Sequence, residues 1–254
     1  MRRRGTHIKI SYSSLLFILV ALLITVDCAH NKTIEGFDAV EWFEMGRQAS
    51  IDDHLDKALD AFNKAIELDP KVVKSYVNRG SVYYYLGNYN QAIADYNKGI
   101  ELDPKDTETY TKRGSTYYHV GNYNKAIADY NQVIELDPKD AKAYFSRGNA
   151  YDGLANYKKA IADYNKVIAL NPKDTHVYVS RGGVYAKLGN YNQAIADYDK
   201  AIELNAEYAL AYYDRGLAHS AIGNHNQAIA DWRIAARLGL KEAQDHLKQQ
   251  WIVW

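Results

Sequence analysis

Four prolines, Pro70, Pro104, Pro138 and Pro172, stand 34 residues apart, and Gly46, Gly80, Gly114, Gly148, Gly182 and Gly216 keep the same interval. A fixed period of this length marks a stacked repeat, in which each unit has an apolar face that only a neighbour covers. Framed on the glycine, six copies tile residues 39–72, 73–106, 107–140, 141–174, 175–208 and 209–242 without insertion or deletion. The stretch 87–104, which opens Gly87-Asn88-Tyr89-Asn90-Gln91-Ala92-Ile93, recurs almost verbatim at 121–138, 155–172 and 189–205, and more loosely at 223–240.

Within copy two, Tyr76, Arg79-Gly80 and Tyr83 share one stripe of a first helix, because their spacing matches the helical period. Leu86-Gly87 ends that helix, glycine being free to take the left-handed conformation of a C-terminal cap. Asn88 and Gln91, three residues apart, are placed to cap a second helix whose inward stripe is Ala92, Ile93, Tyr96 and Gly99-Ile100. Pro104 stops it, since proline has no N–H to continue the ladder. Small residues (Gly80, Ala92, Gly99) fall where the helices must approach, and the rings of Tyr76, Tyr83, Tyr89 and Tyr96 fill the space beside them.

This combination of glycine, tyrosine, alanine and proline resembles the tetratricopeptide repeat, and the signature is matched in all six copies over 39–242. The resemblance implies an all-α, right-handed superhelical solenoid of six helix-turn-helix repeats. Departures are few: Asp53-His54 stands at the helix-ending Leu-Gly of copy one, Ala155 replaces a turn glycine, Ala206 a proline, and His219 and His225 two tyrosines. Where the family usually has leucine, copies two to six carry Arg79, Arg113, Arg147, Arg181 and Arg215. An aspartate precedes each second-helix aromatic (Asp60, Asp95, Asp129, Asp163, Asp197, Asp231), and Met45 takes the arginine slot of copy one. We expect these charges to pair across the seam between consecutive repeats, as Asp60 with Arg79 or Asp95 with Arg113. The motif recurs in nearly every copy, which favours a structural role over a catalytic one.

Residues 1–29 have a different character. Arg2, Arg3, Arg4 and Lys9 precede an apolar or near-apolar run over 15–26, and no acid occurs before Asp27. The pattern reads as a signal peptide or a short N-terminal anchor, since a span usually needs ~20 apolar residues. Cys28 adds a third reading, lipidation, because the segment also resembles a bacterial lipoprotein signal, although Asp27 departs from the small neutral residue expected there. All three readings place the repeats on the non-cytoplasmic side, secreted, periplasmic or membrane-anchored, with the arginines inside. The alternative is a cytosolic chain with a buried apolar N-terminal helix. Asn31-Lys32-Thr33 forms a glycosylation sequon. Residues 30–38 are a linker, with Phe37 expected against copy one. Residues 243–254 read as a C-terminal capping helix carrying Ala243, Leu247 and Trp251, and its apolar end 251–254 is expected to fold back on copy six, an exposed patch that recruits a partner being the alternative.

Lys+Arg and Asp+Glu balance at 31 each, so no basic excess points to nucleic acid. One cysteine precludes an internal disulfide and a cysteine metal cage. The eight histidines show no i, i+4 pair with a glutamate, and the sequence has neither a phosphate-cradling glycine loop nor a Gly-x-Ser-x-Gly elbow. No cofactor, metal or catalytic residue is therefore expected.

A surface remains. The second, sixth, ninth and thirteenth positions of the first helices vary freely while the inward slots repeat: Lys74, Asn78, Ser81, Tyr85; Glu108, Lys112, Ser115, His119; Lys142, Ser146, Asn149, Gly153; His176, Ser180, Gly183, Lys187. Flanking positions add Tyr84, Tyr118 and Asp152. In the family that this array resembles, first helices line a concave groove that grips a peptide segment or helix of another protein. That resemblance implies binding by Asn78, Tyr84, Tyr85, Lys112, Tyr118, His119, Asn149, Asp152 and Lys187. The chaperone-tail clamp of the family does not carry over, since Phe43, Val77, Thr111, Phe145, Val179 and Tyr213 occupy its first lysine position. The expected function is a non-catalytic interaction scaffold. An envelope assembly factor or chaperone with several weakly bound clients is the alternative.

Overall fold

The structure, a computed structural model, describes residues 36–249 and divides into two compact units that meet in sequence at Pro70–Lys71. Residues 1–35 and 250–254 lie outside the described residues, and with them the expectations for the signal or anchor, Cys28, the sequon and the apolar end.

The first unit is one helical hairpin, α1 (Ala39–Ile51) and α2 (Leu55–Leu68). Asp38 and Glu41 form a capping box at its start, the carboxylate of each accepting a backbone N–H of the other's turn. Phe37 stacks edge-on with Trp42 at 5.7 Å, in line with its expected place against copy one.

The second unit continues the pattern: α3 (Val73–Tyr85), α4 (Tyr89–Leu102), α5 (Thr107–His119), α6 (Tyr123–Leu136), α7 (Ala141–Gly153) and α8 (Tyr157–Leu170). There follow α9 (Thr175–Lys187), α10 (Tyr191–Leu204), α11 (Ala209–Ala221), α12 (His225–Arg237) and α13 (Lys241–Gln249). Each helix packs antiparallel on the next and each pair on its neighbour, so the unit is an all-α solenoid of helix hairpins. No strand occurs among the described residues.

The turns follow from backbone chemistry. Gly87 takes φ +76°, donates its N–H to the Tyr84 carbonyl at 3.0 Å, and the Asn88 N–H reaches Tyr83 at 2.8 Å. These paired bonds satisfy carbonyls left over at the helix end. Ala155 adopts the same conformation at φ 55° although it carries a Cβ. In copy one Asp53 does so at φ 59° and His54 is the N-cap residue of α2, so Asp52-Asp53 fills the Leu-Gly slot, one residue before the expected position. Asn88 stands at the helix start without a side-chain cap bond, and only Asn122 and Asn156 accept one, so no Asn–Gln capping box forms. Stronger caps open the first helices: the carboxylates of Asp106, Asp140 and Asp174 each accept a backbone N–H of α5, α7 and α9.

Close packing explains the invariant glycine. A Cβ at Gly80 would stand 2.9 Å from the Tyr96 ring, and one at Gly148 would stand 2.7 Å from Tyr164. Tyr96, Tyr130, Tyr164 and Tyr198 are almost wholly buried by this fit, each ring contributing roughly 1.5–3 kcal/mol. The buried stripe of the first helix is wider than the sequence suggests. Val77, Val82, Val177 and Val184 are also buried, because each first helix is covered on two sides. At the far end, Ala243 and Leu247 of α13 close over Ala228, Trp232, Ala235 and Ala236, and Gln244 Nε2 donates to the Ala236 carbonyl at 2.9 Å.

The arginines and aspartates pair, but inside each repeat rather than across the seam. Arg79 Nε and Nη2 donate to Asp95 at 2.8 and 2.6 Å, and Arg113, Arg147, Arg181 and Arg215 grip Asp129, Asp163, Asp197 and Asp231 in the same fork. Arginine and aspartate are 16 residues apart, as are the glycine and tyrosine that follow them, so both pairs lie at one helix crossing. The seam is bridged by the third nitrogen: Nη1 of Arg113, Arg147 and Arg181 donates to Asn97, Asn131 and Asn165, and that of Arg215 to Asp199. In copy one Ala61 occupies the aspartate slot opposite Met45, and Asp60, one place out, is exposed. That copy replaces the ion pair with apolar side chains.

Candidate protein-interaction face

The varied face of the first helices carries two clusters of side chains. In the first, Tyr84 and Tyr85 near the end of α3 stack edge-on at 5.9 Å, and Tyr84 meets Tyr89 at 5.6 Å and His119 at 5.7 Å. The Tyr89 hydroxyl and His119 Nε2 are hydrogen-bonded at 2.8 Å, which ties the start of α4 to the end of α5. Tyr85 remains 77% exposed, a large ring held open to water by its neighbours.

The second cluster lies one to two repeats on. Tyr118 packs against Tyr123 at 5.3 Å, and Lys187 Nζ reaches both oxygens of Asp152 at 2.6 and 2.8 Å, linking copies five and four. Burial raises the Tyr118 phenol above its ordinary range, and the nearby Tyr123 and Asp152 add to the effect. Asn149 accepts the Tyr164 hydroxyl at 2.7 Å, as Ser81 and Ser115 meet Tyr96 and Tyr130 at 3.4 and 3.3 Å. The buried rings thus present their hydroxyls to this face.

The remaining expected residues serve the scaffold more than the surface. Asn78 turns back to the Lys74 carbonyl at 2.8 Å, and Lys112 Nζ donates to Ser81 Oγ at 3.2 Å while facing Glu108 at 3.5 Å. Sequence reasoning missed Tyr89 and Tyr123, whose place in the inward ring pattern concealed that they also edge this face. It also missed Asp214, the sixth position of copy six. No cluster of three or more histidine, cysteine or carboxylate groups able to hold a metal occurs among the described residues.

Comparison with known proteins agrees with this geometry. Models described as TPR repeat match residues 80–121, 114–154 and 182–223, and models described as tetratricopeptide repeat match 42–72, 61–94 and 141–174. The crystal structure of MamA is 31% identical over 65% of this chain and 96% of its own, with a TM-score of 0.60.

The chain belongs to the tetratricopeptide repeat family.

A second tetratricopeptide repeat protein, from Parabacteroides merdae, superposes over 93% of this chain and 92% of its own at 24% identity and a TM-score of 0.66. YrrB, described as a TPR protein with an unusual peptide-binding site, covers 76% of this chain and 100% of its own at 22% identity and a TM-score of 0.60. At that identity both support the tetratricopeptide fold alone. No curated protein matches the sequence significantly.

Proposed function

We propose that this tetratricopeptide repeat chain is a non-catalytic scaffold that holds a peptide segment of a partner protein along the varied face of its first helices. The observation that carries the reading is the division of labour within each repeat. Glycine, tyrosine, arginine and aspartate recur at the packing positions, while the outer positions change from copy to copy and keep rings such as Tyr85 exposed. Exposed aromatic surface beside a charged pair is the composition of a recognition patch. The peptide-binding description of YrrB supports the same use of the fold. The basic, then apolar, N-terminal sequence supports a secreted or membrane-tethered location.

The test places a photo-crosslinking residue at Tyr85, Tyr118 or Lys187 in the full chain expressed in its own cells. Crosslinks at these sites to one segment of one partner are expected. Tyr118→Ala should weaken that complex at least tenfold with the thermal midpoint nearly unchanged. A partner that crosslinks only through the second helices, or binds Tyr118→Ala undiminished, would overturn the reading.

A further inference from the structure

Copy six contains a carboxylate that the scaffold does not use. Asp214 on α11 is half-buried and makes no hydrogen bond or ion pair among the described residues. Its position in the repeat equals that of Lys112 and Ser146. Lys112 reaches back to Ser81 of the preceding copy, and Ser146 faces the Tyr130 hydroxyl of the preceding copy. By the same register Asp214 faces Tyr198 of α10, and it acts electrostatically on the Tyr198, Tyr208 and Tyr213 phenols.

The matching partner of Tyr198 is missing. Tyr96, Tyr130 and Tyr164 each meet a side chain at the ninth position of their own copy, Ser81, Ser115 and Asn149. Copy five has Gly183 there, and a Cβ added to it would meet nothing within 4 Å. A phenol without its usual partner, an open space and an unpaired carboxylate therefore meet at one point of the candidate face. Burial alone pushes the Asp214 carboxyl up to about 6, with no basic side chain among the described residues offsetting it. A half-buried anion of this kind gains most from a cation brought by something else.

We propose that Asp214, Tyr198 and the space over Gly183 form a subsite for a lysine or arginine side chain of the bound partner segment. This rests on the groove reading above. The carboxylate accepts hydrogen bonds from the cation, the Tyr198 oxygen accepts another, and the methylene stem occupies the space that a serine or asparagine fills in copies two to four. The phenols of Tyr208 and Tyr213 are neutral at physiological pH and add electron-rich ring faces without a competing charge. His176, hydrogen-bonded to Tyr208 at 3.1 Å, and His246, against the Tyr213 ring at 6.1 Å, stand one ring farther out.

The experiment uses the full chain and two probes, the capped tripeptide Gly-Lys-Gly and its acetyl-lysine analogue, with the Asp214 carboxyl carbon followed by NMR. Binding of the lysine peptide should shift that carbon and lower its titration midpoint by about one unit, equivalent to roughly tenfold coupling. The acetylated peptide should bind at least tenfold more weakly, and so should the lysine peptide to Asp214→Asn, which retains both histidines. Gly183→Ser, which restores a partner to Tyr198, should weaken binding in the same way. Equal affinity of the two peptides, or undiminished binding by Asp214→Asn, would overturn the subsite. The two readings fail separately. A natural partner that crosslinks at Tyr118 but ignores Asp214→Asn removes the subsite and leaves the scaffold. A lysine probe held at Asp214 by a chain whose partner crosslinks only through the second helices does the reverse.

Discussion

Removing Asp163 tests what the arginine forks contribute. Arg147 places Nε and Nη2 at 2.8 and 2.6 Å from its two oxygens, and the side chains keep only 18% and 8% of their exposure. Truncating one partner of a buried ion pair costs ~3–5 kcal/mol, because the other charge stays behind without compensation. Arg147 retains some access to water and its bond to Asn131 at 2.7 Å, so Asp163→Ala should cost nearer ~2–3 kcal/mol. The double variant Arg147→Met/Asp163→Ala copies what copy one already has in Met45 and Ala61. It removes the stranded charge as well, and should cost only ~0–1 kcal/mol. The resulting coupling, at least about 2 kcal/mol and larger by whatever Arg147→Met alone costs, is read from urea unfolding of the two single variants, the double variant and the parent by far-ultraviolet circular dichroism. If the double variant loses the sum of the single losses, the forks are not coupled pairs and the argument from burial fails.

The glycines make a paired prediction. Gly148→Ala drives a methyl into the Tyr164 ring at 2.7 Å and should destabilise by ~1–3 kcal/mol, whereas Gly183→Ala, in open space, should stabilise by ~0.5–1 kcal/mol; thermal midpoints give both signs. Ala155→Gly relieves the positive φ at that turn and should raise the midpoint by the equivalent of ~0.5–1 kcal/mol, less than the full left-handed penalty because glycine gains freedom when unfolded. Burial pushes the Tyr96 phenol up to about 12. A raised pKa in the fold favours the protonated form, so this stability is complete below ~10 and is lost as pH rises through about 12. Tyrosinate absorbance and helical signal should therefore change together in alkali, and ionisation with the helices intact would contradict it.

The fold was legible because the period, the glycine and the ring it accommodates repeat in one chain. Internal repetition acts as an alignment: a residue identical at five equivalent positions is answering a demand that recurs at every crossing. The same signal was ambiguous about pairing. Arg79 is equally regular in its spacing to Asp95 and to the aspartate slots of neighbouring copies, and only the helix crossing decides between them. The crossing was in fact encoded, since glycine and tyrosine share the arginine–aspartate offset of 16 residues. Asn97, Asn131 and Asn165, which receive the third nitrogen, looked like ordinary exposed polar residues. The candidate face was readable as a list of variable positions, but whether a member is free or engaged depended on side-chain direction. Asn78 bonds its own helix, while Asp152 and Lys187, 35 residues apart, find each other.

This division also limits where specificity can reside. Each arginine spends its fork on its own repeat and, in copies three to six, its third nitrogen on the preceding one, and each buried tyrosine fills the glycine notch of its own copy. Changing any of these disturbs the crossing it serves, so they cannot be adapted to one partner without loss of stability. Differences between copies therefore collect at the outer positions of the first helices, where a substitution such as Ser to Gly at 183 alters the space above a tyrosine hydroxyl and leaves the stack intact. The face itself differs at every 34-residue step: rings around Tyr84 and His119, a paired charge at Asp152 and Lys187, and at Asp214 a carboxylate without an ion-pair partner among the described residues. On the scaffold reading proposed above, direction and register of a bound segment would follow from that asymmetry, which a perfectly uniform array would lack.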